Sequence, residues 1–239
     1  MRTPSLAITA LVVATFAMTD LASAASPPAP GPPARHVAGA TAVAVDSPAY
    51  LPPAKVRLRK SPGGTSIVRG NGPIEGKRGK LVRYTVEVQT KMPHAQRRAV
   101  ELEAVARWVF GDQRRGWTAR GARRMQRVGT VKAATIRIVL ARPSEVDRRC
   151  RRGGMNTAGK YSCFTGKVAA LNNLRWQRGA VTDQFPVLDQ YRAYLVNHEV
   201  GHGLGYRHRS CPRKRALAHV MVQQSKSFYG CRPNGWPYP

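Results

Sequence analysis

The chain has 239 residues, enough for one domain with a tail, and carries 40 lysines and arginines against 12 acids for a formal net charge of +28. Such a field repels basic ligands and draws in anionic ones, although a bias toward Arg, Ala, Gly and Pro codons would give the same composition without naming a partner. The four cysteines include no C-x-x-C pair, which argues against a cysteine-ligated structural zinc.

In chain order, residues 1–24 read as a signal peptide. Arg2 opens it, "LAITALVVATFAM" is its apolar core and "ASA" at 22–24 has the small-x-small form of a cleavage site. The expected location is therefore secreted, extracellular or at the cell envelope. No later stretch approaches the apolar length that crosses a bilayer, so no transmembrane segment is expected in the mature protein. Cleavage removes Arg2 and Asp20 together and leaves the net charge at +28. Residues 25–64, dominated by Ala and Pro, read as a linker or tail. They hold no cysteine that could block a metal as a propeptide.

The folded domain is expected over 65–239. "KLVRYTVEVQT", from Lys80, alternates closely enough for a strand. "HAQRRAVELEAVARWVFG" places Ala99, Leu102, Val105, Ala106 and Val109 at helical spacing and ends at Gly111. "ATIRIVLA" over 134–141 and "KVAALNNLRW" from Lys167 are further strand candidates. "PVLDQYRAYLVNHEVGHGLG" reads as a helix with Pro186 near its first turn and Gly205 at its end, presenting Leu188, Tyr191, Leu195, His198 and His202 on one stripe. The rest is irregular, and the order of elements gives an α+β domain with a short irregular C-terminal piece. Cys150, Cys163, Cys211 and Cys231 allow three pairings. The local one, Cys150 with Cys163 and Cys211 with Cys231, is the most economical, each loop contributing on the order of 3 kcal/mol.

The chemistry concentrates in "HEVGHGLGYRH". Residues four apart on a helix share a face, so His198 and His202 can aim imidazoles at one point, as Zn²⁺ requires. Glu199 lies about 100° around the same helix, beside the open coordination position, where a general base belongs. Gly205 can take a positive φ and break the helix, letting His208 return as a third ligand. The chemistry expected is amide hydrolysis, with the metal polarising the carbonyl and Glu199 passing a proton from water to the leaving amine.

"HEVGHGLGYRH" resembles the zinc signature of the metzincin metallopeptidases, and "AHVMVQQSK" resembles their Met-turn. From "GKLVRYTVEV" to "MVQQSKSFYGCRPNGWPYP" the chain is also similar to a domain-of-unknown-function family of secreted actinobacterial proteins regarded as metzincin-like. The resemblance implies a twisted mixed sheet with two main helices, a cleft between sheet and zinc, and Met221 as an apolar floor under the metal. Arg209, which follows the third histidine, matches none of the familiar variants of that position. Gln223 stands where some metzincins place a tyrosine, so no tyrosine ligand is implied.

The partner expected is a peptide or protein substrate, together with anionic cell-envelope polymers if the charge is used. A peptidoglycan peptide is one alternative substrate. A basic envelope-binding protein with a purely structural zinc is the alternative from another class. Basic runs such as "RRCRR" at 148–152 come without a nucleic-acid fold motif, so no specific nucleic acid is expected. Nothing in the sequence sets the oligomeric state.

Overall fold

The computed structural model describes residues 55–182 and 184–239. The expected signal segment and the linker up to residue 54 lie outside them.

A ten-residue strand, β4 (Lys80–Gln89), is the spine of the sheet. Antiparallel β2 (Thr65–Val68) and parallel β5 (Arg123–Arg127) share one of its edges, with Ile67 opposite Glu87 and Val82 opposite Met125. Parallel β6 (Ile136–Ala141) takes the other edge, with Val86 opposite Ile138. β8 (Val168–Asn172) runs parallel to β6, and the short antiparallel β7 (Cys163–Thr165) closes that side. β1 (Leu58–Ser61) pairs with β2, and β3 (Ile74–Glu75) with β5. The result is an open, mixed, eight-stranded sheet.

β1 corrects the expected boundary, because the sheet begins inside the segment read as linker. Its hairpin with β2 turns through Gly63 and Gly64, both at positive φ, and Val56 and Leu58 pack against the core. Two apolar positions among basic ones are too few for alternation to be visible in the sequence.

β6 shows why the sheet carries helices on both faces. Ile136, Ile138 and Leu140 enter the main core, while the intervening Val139 and Ala141 join Val146, Cys150, Cys163 and Ala170 on the opposite face. That second cluster lies under α2 (Pro143–Arg151), which begins with proline at its first position. α1 (Ala95–Gly111) covers the main face and buries the apolar positions its spacing predicts. The stretch read as a strand from Lys167 is half helix: β8 stops at Asn172, whose side chain accepts the Leu174 N–H at 2.9 Å and caps α3 (Asn173–Arg178).

α4 (Leu188–Gly203) starts two residues after Pro186, with Val187 as its N-cap. Its buried positions are not the stripe expected from spacing, since every residue from 193 to 201 is buried. A helix covered all round lies inside a fold. α1 and the sheet cover one side of α4 and the C-terminal segment the other, held by Tyr194 Oη donating to the Val222 carbonyl at 3.0 Å and Asn197 Nδ2 to the Gly235 carbonyl at 2.9 Å.

Both disulfides are the local ones, Cys150–Cys163 tying α2 to β7 and Cys211–Cys231 closing the C-terminal segment. They are compatible with an extracellular protein. Among the described residues no helix is long and apolar enough to cross a membrane.

One ion pair is built into the sheet. Arg137 on β6 donates to both carboxylate oxygens of Glu87 on β4, at 2.8 and 2.6 Å. Thr65 and Thr85 hydroxyls each donate to the same carboxylate at 2.6 Å. Burial alone would raise the Glu87 pKa, but these four hydrogen bonds outweigh it and hold the carboxyl below its ordinary range.

Candidate metal centre

Two histidines stand on successive turns of α4 and the third returns from beyond its end. Gly205, at φ 94°, makes the left-handed cap: its N–H donates to the His202 carbonyl and the Tyr206 N–H to the Gly201 carbonyl, both at 3.0 Å. The same turn orients the site, because the Tyr206 carbonyl accepts from His202 Nδ1 at 2.9 Å. His198 Nδ1 is held in the same way by the Val220 carbonyl at 2.9 Å. A carbonyl only accepts, so each Nδ1 carries the proton and each Nε2 keeps its lone pair.

Those lone pairs converge. His202 Nε2 lies 3.1 Å from His208 Nε2, and one nitrogen from each of the three rings falls within 4.8 Å of the others. Metal–nitrogen bonds of about 2.0–2.1 Å in a tetrahedral array require nitrogens roughly 3.3 Å apart. Burial pushes the His198 pKa down to about 3 and also lowers those of His202 and His208, so the rings are neutral at pH 7, as ligands must be. The three imidazoles can therefore hold a metal ion.

Met221 is fully buried under the helix. A Cβ built on Gly201 would sit 2.5 Å from Met221 Sδ and 2.9 Å from Trp117 Cζ2, so the glycine inside the histidine motif is a steric requirement. Gly201→Ala is expected to cost about 1–3 kcal/mol, read as a lowered Tm, and to loosen the spacing of the histidine pair. The Arg209 N–H donates to the Met221 carbonyl at 3.0 Å, stitching the segment that carries His208 to the Met221 turn. Arg209 does not line the cleft; its backbone contributes here.

Glu199 and the three histidines open into one cleft of about 520 Å³. The Glu199 carboxyl has no hydrogen-bond or ion-pair partner among the described residues, and burial pushes its pKa up to about 8. A cation on the neighbouring imidazoles would draw it back down. One wall of the cleft comes from β7 and the loop before it, including Met155, Asn156, Tyr161 and Phe164; the other includes Gln223, Ser225 and Lys226. Neither wall was legible from the histidine motif. The first lies some forty residues upstream and lacks periodicity, its one sequence signal being the Cys150–Cys163 pair that closes the loop.

Sheet and site together define a mixed α/β domain with a three-histidine candidate metal centre at the C-terminal end of a buried helix. The chain belongs to the family described as "Protein of unknown function (DUF3152)", whose model matches residues 51–230. No curated protein and no solved structure matches it.

Proposed function

We propose that the protein is a secreted, metzincin-like zinc metallopeptidase that hydrolyses peptide bonds. The observation that carries this reading is Glu199, a buried carboxyl without a partner of its own, opening into the same cleft as three converging imidazole nitrogens. A purely structural metal has no use for such a group, whereas a hydrolytic site needs a base that burial has left unneutralised.

His198, His202 and His208 would hold Zn²⁺, which when bound would supply a Lewis acid for the amide carbonyl and for water. Glu199 takes a proton from water as its oxygen bonds to the acyl carbon. When the C–N bond breaks, Glu199 delivers that proton to the amine nitrogen, and a carboxylic acid and an amine leave. The Val220 and Tyr206 carbonyls hold the His198 and His202 rings in the required tautomer throughout.

Digestion of casein beside purified cell wall, read by mass spectrometry, tests the reading. Cleavage that o-phenanthroline abolishes and added zinc restores is expected, and the substrate cut separates a protein from a peptidoglycan peptide. Absence of turnover on both substrates in zinc-loaded protein would favour a basic binding protein instead.

A further inference from the structure

The charges in the cleft point to the kind of substrate it takes. Among the residues lining it, Glu199 is the carboxylate and Lys226 the lysine or arginine; the rest, apart from the histidines, are neutral. The root of Lys226 is fixed. Its N–H donates to the Gln223 carbonyl at 2.9 Å, the preceding Ser225 hydroxyl bonds the buried Tyr191 hydroxyl at 2.9 Å, and Val222 is anchored by Tyr194.

The tip is different. Lys226 is exposed, its Nζ stands 5.4 Å from the centre of the Tyr161 ring on the opposite wall, and no carboxylate pairs with it among the described residues. A cation–π contact at an exposed site is worth only about 0.5–1 kcal/mol, so an anion entering the cleft can displace it. Lys226 lines the same cleft as His208 and Glu199.

Resting on the peptidase reading, we propose that Lys226 selects peptides carrying a carboxylate next to the bond that is cut. The carboxylate comes either from an acidic side chain or from the peptide's own C-terminus. A lysine ammonium, a compact point charge on a flexible stem, accommodates both. The protein's overall +28 charge steers the same substrates toward the cleft.

The test uses the zinc-loaded protein and one peptide scaffold in matched pairs: Glu against Gln beside the cleaved bond, and a free against an amidated C-terminus. In at least one pair the wild type is expected to favour the carboxylate on the order of tenfold in kcat/KM. Lys226→Met should collapse that ratio and Lys226→Arg restore most of it. Dissociation constants measured on Glu199→Gln protein should show the same preference without turnover. A preference in the first pair assigns the carboxylate to a side chain, and one in the second to the C-terminus. Cleavage at equal rates within both pairs, or a preference that survives Lys226→Met, overturns the role of Lys226 and leaves the peptidase reading intact. No cleavage of any peptide by the wild type overturns both.

Discussion

Glu199→Gln is expected to keep a full complement of zinc and lose turnover by a factor on the order of 10²–10⁴. The amide is nearly isosteric with the carboxyl and touches none of the hydrogen bonds that orient His198 and His202, so the ligand set survives. What disappears is the carboxyl that, on the proposed mechanism, takes a proton from water and returns it to the amine. Because Glu199 is buried without a partner, the substitution should also leave the fold no less stable, and it separates a catalytic role from a structural one. Elemental analysis beside kcat on the same preparation decides the matter. Undiminished turnover in a metal-replete variant would remove Glu199 from the mechanism.

The largest effect on stability is expected far from the site, at Arg137→Met. Glu87 is fully buried and Arg137 partly exposed, and removing one partner of a buried pair costs up to about 3–5 kcal/mol because the other charge is left uncompensated. The pH dependence follows from the direction of the Glu87 shift. Its folded pKa lies below the unfolded value of about 4.3, so the pair's contribution is complete above that value and is lost as the pH falls through the folded one. Denaturant unfolding should therefore show the deficit of Arg137→Met largest near neutrality and shrinking in acid, where protonated Glu87 no longer needs the guanidinium. Glu87→Gln combined with Arg137→Met should recover part of the loss. A deficit that does not change with pH would show that lost packing, rather than the ion pair, accounts for the effect.

The histidine cluster was legible in the sequence because its geometry is local. A helix turn sets the distance from His198 to His202, and one glycine at positive φ returns His208. The helix around it was legible in extent but not in environment. Spacing predicts a single stripe, yet residues 193–201 are buried all round, since the covering C-terminal segment has no periodicity to announce it. β4 and α1 followed their patterns to within a residue at their ends. β1, β2, β3, β5 and β7 are not legible because strands of two to five residues, one of them (β5) rich in arginine, give alternation too little room. α3 was hidden inside an apolar run, where the Asn172 cap was the local sign of a change from strand to helix. The cleft walls depend on contacts across the sheet's edge, which no short pattern encodes.

Zinc titration of chelator-stripped protein, followed by calorimetry, most directly tests whether the three imidazoles form a metal site. One ion per chain in the wild type, with binding strongly weakened in His202→Ala, is the predicted result. No saturable binding in the wild type, or equal binding in His202→Ala, would contradict it.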